Sequence, residues 1–235
     1  QSVEIKKRMS SNPSHINAVH QLRREQLVTS TRAFNARGGA LKRCPECLLG
    51  ESKCICDASE PMDSHIGVCM LMYHAEYYKP SNTGQLICEL VKDNFAFRWE
   101  RTSVDPELTR LLNDPEWYPV IIFPHDNVEP ERQLAALPSK AARNDKRPLF
   151  LFLDGTWRQA KKMFLKSPYL QTLPVLQLEE ASKGNYQLRV AHHEHHMSTV
   201  EVAFELFKQN GEAALGDALE RLFEQFRESY KAFKR

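Results

Sequence analysis

The sequence predicts an α/β layered domain with a mainly parallel sheet, preceded by a small cysteine-rich module. Three observations lead there. Short, continuously apolar runs at 66–72 and 149–153 alternate with helix-patterned stretches, as in sheets covered on both faces. Four of the six cysteines fall within 13 residues near the N-terminus. A polar stretch, DASEPMDSH at 57–65, separates those cysteines from the first apolar run. The expected division is residues 1–60, a basic helix with the cysteine module, and residues 61–235, the α/β domain.

Each element has its own signal. Residues 14–35 carry a basic, loosely amphipathic helical pattern that Gly38 and Gly39 end. IGVCMLM (66–72) reads as a short buried strand. SNTGQLICELVKDN (81–94) opens with turn residues and sets Leu86, Ile87, Leu90 and Val91 on one helical face. FAFRW (95–99) is a strand, and DPELTRLLND (105–114) a short helix with Pro106 suited to its first turn. YPVIIFP (118–124) is a second buried strand, broken by Pro124. RPLFLFLDG (147–155) is the strongest strand, and TWRQAKKMFL (156–165) the helix behind it. PVLQLEE (174–180) and YQLRVA (186–191) read as strands, followed by helices at 198–210 and 212–233.

The net charge of +2 is unevenly spread. Residues 1–43 hold nine Lys or Arg against Glu4 and Glu25, and 132–166 hold nine cations against Asp145 and Asp154. Segregated cations suit a polyanionic partner, because neutralising phosphates releases counterions. Solvated helix faces would produce the same pattern. No apolar run reaches membrane-spanning length, and QSVEIKKRMSS lacks the apolar stretch of a secretory signal, so a cytoplasmic location is expected.

Cys44-Pro-Glu-Cys47 and Cys54-Ile-Cys56 form two close pairs, which suits a tetrahedral thiolate site for zinc. Disulfides are the competing reading, disfavoured in a chain expected in the cytosol. Four thiolates would close the coordination shell, so the metal would organise structure rather than catalyse. Cys69 and Cys88, isolated in apolar settings, are expected in the core. The run His192-His193-Glu194-His195-His196 reads as a polar loop rather than a second metal site. Ser198 with Glu201 matches a capping box, and Ser81-Asn82-Thr83-Gly84 could form an anion-binding nest before a helix. Asp154-Gly155-Thr156-Trp157 allows two readings. Asp154 or Thr156 caps the following helix, or Asp154 is a functional carboxylate at a strand's carboxyl end, where α/β sheets bind ligands.

In order along the chain, RCPECLLGESKCICD, HAEYYKPSNTG, the apolar strand ending in Phe123-Pro124, LDGTWRQAKKM, and YQLR followed by STVE resemble the DTW-domain family. The resemblance covers about 43–207, and the family is named for a D-x-T-W signature. Its bacterial members are tRNA-uridine aminocarboxypropyltransferases. The resemblance implies a SPOUT-like α/β fold with a C-terminal knot. It also implies S-adenosylmethionine as donor of a 3-amino-3-carboxypropyl group, N3-modified uridine (acp3U) in tRNA as product, and methylthioadenosine as by-product.

On that resemblance Asp154 is the candidate base for the uridine N3 proton, or an electrostatic partner of the sulfonium. Phe123, Pro124, Gly155, Thr156 and Trp157, with Leu188, Arg189, Ser198 and Thr199 of the 188–199 loop, are expected to line the donor pocket; Trp157 could instead anchor its helix to the core. Lys79, Asn82, Thr83, Arg158, Lys161 and the basic N-terminal segment are candidates for tRNA contacts. The competing functions are a SPOUT-type methyltransferase and a non-catalytic zinc-dependent RNA-binding module. The oligomeric state is left open, with a monomer favoured.

Overall fold

In a computed structural model of the chain, residues 15–29, 42–126, 128–177 and 198–231 are described. Among them, six strands form one sheet: β1 (Gly67–Met72), β2 (Asn94–Arg98), β3 (Trp117–Ile122), β4 (Gln133–Leu134), β5 (Arg147–Asp154) and β6 (Val175–Leu176). The order is β2-β1-β5-β3-β6-β4, and every pairing is parallel. Six α-helices accompany it: α1 (Ala18–Thr29), α2 (Gly84–Leu90), α3 (Pro106–Asn113), α4 (Trp157–Leu165), α5 (Thr199–Gln209) and α6 (Ala213–Lys231).

Strand side chains alternate between faces, and here both faces are covered. Val68, Met70 and Met72 of β1, with Phe150 and Phe152 of β5, pack under α1, α2, α5 and α6. Cys69, Leu71, Leu149, Leu151 and Leu153 pack on the other side against α3 and α4. These two adjacent interior strands are therefore apolar at nearly every position, which is why their sequences read as unbroken runs. Cys69 and Cys88 are both fully buried, as expected. Val19, Leu22, Cys47 and Leu49 belong to the α5/α6-side core, so α1 and the cysteine loop are packed onto the sheet domain.

Local chemistry accounts for most helix ends. Asp105 accepts the Glu107 amide and caps α3, with Pro106 in its first turn. Asn17 Oδ1 accepts the Val19 and His20 amides, so α1 starts later than the amphipathic pattern suggested. Strand β3 stops at Ile122; the Phe123 amide still donates to the Leu176 carbonyl at 3.2 Å, and Pro124, which has no amide hydrogen, follows. Strand β4 was not expected. Its two residues pair with β6 only because the sheet offers an edge there. The strand expected at 186–191, the histidine run and the 178–197 path on which a C-terminal knot would depend lie outside the described residues. No described helix is long and apolar enough to cross a membrane.

A buried carboxylate site and a four-cysteine centre

Parallel strands bring their carboxyl ends to one edge of the sheet. Tyr73 follows β1 there, Phe123 and Pro124 follow β3, and Gly155 follows β5. The Tyr73 amide donates to the Asp154 carbonyl at 2.9 Å, extending the β1–β5 ladder to its last residue.

Asp154 shares parity with Phe150 and Phe152, so its side chain leaves the sheet on the α2/α5 side. It is 4% exposed. Asn82 Nδ2 donates to its Oδ2 at 2.6 Å, and Thr199 Oγ1 donates to its Oδ1 at 2.8 Å. Asn82 lies two residues before α2 and Thr199 opens α5, so two helix starts meet on one carboxylate. Asn82 Oδ1 accepts the Gln85 amide at 3.2 Å, which turns the Asn82 amide nitrogen toward Asp154. A Cβ at Gly84 would lie 2.7 Å from Met70 Cε and 3.1 Å from Asp154 Oδ2. A larger residue here would have to displace the Met70 methyl and press on the carboxylate.

Burial raises the Asp154 carboxyl above the ordinary aspartate value, and the Asn82 and Thr199 donors work against that shift. Glu76 raises it further and Lys79 lowers it. Glu76 is itself buried and forms an ion pair with Lys79.

Thr156 takes the helix cap. The Gln159 amide donates to Thr156 Oγ1, and Gln159 Oε1 accepts the Thr156 amide at 2.8 Å. Asp154 is thus released from capping. Trp157 stacks on Phe123 at 5.3 Å and 11°, and Phe123 stacks on Phe164 at 4.6 Å. Trp157 keeps 40% of its surface exposed, so it is the open end of a ring stack rooted in the core.

The residues expected to line one pocket therefore fall into two groups. Asp154 and Thr199 meet on the α2/α5 side, where Ser198 immediately precedes Thr199. Phe123 and Trp157 meet on the α4 side, with half-buried Pro124 next in sequence to Phe123. Gly155 and Thr156 join the two across the sheet edge. Glu201 accepts from the Ser198 amide at 2.9 Å and hydroxyl at 2.7 Å, the reach-back half of the expected capping box. Leu188 and Arg189 lie outside the described residues.

Among the expected RNA contacts, Arg158 and Lys161 are exposed on α4 and Thr83 is half-buried. Asn82 is buried, its amide nitrogen bonded to Asp154, so the structure places it in the carboxylate site rather than on the surface. Several cations counted in the basic segments are internal struts. Arg23 is buried among carbonyls, and Arg143 donates to the Pro138 and Lys146 carbonyls. Arg132 holds the Leu170 and Leu173 carbonyls, and Arg147 pairs with Asp93 and Glu116. Charge counting missed this because a buried arginine and a solvated one read alike in sequence.

The four clustered cysteines do converge. Their sulfurs lie within 4.8 Å of one another, with Cys44–Cys56 at 3.6 Å and Cys47–Cys54 at 3.8 Å. A tetrahedron with metal–sulfur bonds of about 2.3 Å has edges of roughly 3.8 Å, so this set could hold a zinc ion. All four cysteines are unbridged, and their mutual convergence is the arrangement of a four-ligand centre rather than of two separate pairs. A tight turn delivers the first pair: Leu48 donates to the Cys44 carbonyl, Cys44 to the Leu49 carbonyl, and Leu48 sits at φ 61°.

A family model described as the DTW domain matches residues 41–231. No solved structure matches the chain.

Proposed function

Because the chain belongs to the DTW-domain family, we propose that it transfers the 3-amino-3-carboxypropyl group of S-adenosylmethionine to N3 of a tRNA uridine. The observation that carries this reading is the buried Asp154 carboxylate at the carboxyl edge of a parallel sheet. A mere clasp between two helix starts would be made more cheaply by a neutral side chain, since burying a charge is expensive.

The reaction is a displacement. Uridine N3 attacks the γ-carbon, the N–C bond forms, and the C–S bond breaks with its electrons returning to sulfur. Methylthioadenosine leaves and the N3 proton passes to Asp154. A carboxylate whose folded-state pKa lies above the ordinary value is a better proton acceptor than a solvated aspartate. Each Asp154 oxygen accepts one side-chain hydrogen bond among the described residues and retains a lone pair for the incoming N–H. Donor orientation decides the product, because the methyl and aminocarboxypropyl groups share one sulfur. In this reading Trp157, Phe123, Ser198 and Thr199 hold the donor, and zinc at Cys44, Cys47, Cys54 and Cys56 has a structural role.

Incubating the protein with unmodified tRNA and S-adenosylmethionine tests the proposal. The expected result is acp3U in the nucleoside digest and methylthioadenosine in the supernatant. Methylated nucleoside with S-adenosylhomocysteine would instead establish a methyltransferase. tRNA binding without donor consumption would establish a binding module.

The RNA footprint is assigned to exposed Arg158, Lys161 and Lys166, on α4 and at its end. Replacing the three by alanine should lower the slope of log affinity against log salt by about one for each phosphate no longer neutralised. An unchanged slope would remove α4 from the interface.

A further inference from the structure

We propose that Arg23 and Gln85 are positioning residues that brace Asp154 against the cysteine centre, an inference that rests on reading Asp154 as the reacting carboxylate. Arg23 belongs to α1, distant in sequence from the site, yet it is 3% exposed. Its donors all go to uncharged oxygens. Nε donates to the Tyr77 carbonyl at 2.7 Å, Nη1 to the Pro45 carbonyl at 3.2 Å and the Glu46 carbonyl, and Nη2 to Gln85 Oε1 at 3.0 Å. The Glu46 carboxylate faces Arg24 and His20 instead. Burial lowers the Arg23 pKa to about 10, with Glu46 opposing. What the planar fork supplies for that cost is geometry: four acceptors from three segments held in fixed directions.

The consequence runs along α2. Gln85 is 2% exposed, and its Oε1 is held by Arg23 and lies 3.2 Å from His20 Nε2. Its amide nitrogen must then point the other way, where it donates to the Asn82 carbonyl at 3.0 Å. The Gln85 main-chain amide takes Asn82 Oδ1, leaving Asn82 Nδ2 for Asp154. Pro45 and Glu46 lie between Cys44 and Cys47, so the braced path runs from the cysteine turn through Arg23, Gln85 and Asn82 to the carboxylate. A buried polar network of this kind rigidifies only while every member is satisfied.

Arg23→Lys keeps the charge and loses the fork, and Gln85→Met keeps the bulk and loses the amide. Either should loosen the Asn82 donor and leave Asp154 with burial less opposed. The charged groups acting on Asp154 are Glu76 and Lys79, from the turn after β1; Cys88 of α2 is a thiol that burial keeps neutral. Gln85→Met leaves that turn alone, whereas Arg23→Lys also loses the bond to the Tyr77 carbonyl beside Glu76, so Gln85→Met is the variant in which a shift reports the Asn82 donor by itself.

The full-length, zinc-loaded protein is used, and the Asp154 side-chain carboxyl is followed by NMR through a pH titration without substrates. Zinc content and melting temperature report the fold. Both folded variants should titrate Asp154 at higher pH than the unmodified protein. Their kcat/KM for tRNA at neutral pH should fall about tenfold, mostly in kcat, with the acidic limb of the profile moved upward. A merely structural role would reduce the folded fraction without moving that limb. An unshifted titration in either folded variant overturns the proposal. A shifted titration in a protein that makes no acp3U would leave the brace standing and overturn the proposed reaction instead.

Discussion

Asp154→Asn should abolish aminocarboxypropyl transfer, a loss of at least about a hundredfold, while leaving the fold in place. The asparagine oxygen can still accept from Asn82, and its amide can donate to Thr199 Oγ1, which is able to accept once its hydroxyl rotates. Both helix starts keep their link; only the charge and the proton-accepting capacity disappear. Stability sharpens the test. The folded-state pKa of Asp154 lies above its ordinary value because of burial, so folding favours the protonated acid. That contribution is fully present below the unfolded pKa and is lost as pH rises through the folded pKa. At neutral pH the ionised carboxylate is therefore a cost, and Asp154→Asn should melt no lower than the unmodified protein. Single-turnover transfer and thermal melts on the same preparation check both halves. Wild-type turnover in the variant would dismiss Asp154 as the base.

The second large effect concerns the cysteine centre. Cys47→Ser should eliminate bound zinc and destabilise the protein by on the order of 4 kcal/mol or more, the range associated with loss of a structural metal. Cys47 is buried in the same core as Leu49 and Val19, so the damage would not stay within the loop. Loss of the metal would also free the Pro45 and Glu46 carbonyls that anchor Arg23. Metal content and melting temperature measure the effect directly. Cys69→Ser is the control: it disturbs a buried thiol away from the cluster and should lower stability without removing metal. Full zinc occupancy and an unchanged melting temperature in Cys47→Ser would dismiss the site.

The sequence alone was enough for whatever rests on neighbours in the chain. The apolar runs of β1 and β5 announced buried parallel strands, because both faces of each are covered. The spacing of Cys44, Cys47, Cys54 and Cys56 announced a convergent set, because turns bring such close pairs together. Ser198 with Glu201 announced a helix start, and Asp154 or Thr156 another, since such caps close within three residues; that Thr156 takes the second with Gln159 came from the structure.

The carboxylate's surroundings were decided only in three dimensions. Asn82 and Thr199 lie 72 and 45 residues from Asp154; the first reaches it because β1, which Asn82 follows, lies beside β5, and the second because α5 packs on the same face of the sheet. No local pattern encodes that adjacency. The tertiary structure also sorted the cations, since a guanidinium's fate depends on which carbonyls the fold leaves for it. It likewise separated Asp154 from Trp157 onto opposite sides of the sheet. Short-range hydrogen-bond chemistry can be read along a chain, whereas the desolvation and donors that tune a buried carboxylate exist only once distant segments have packed around it.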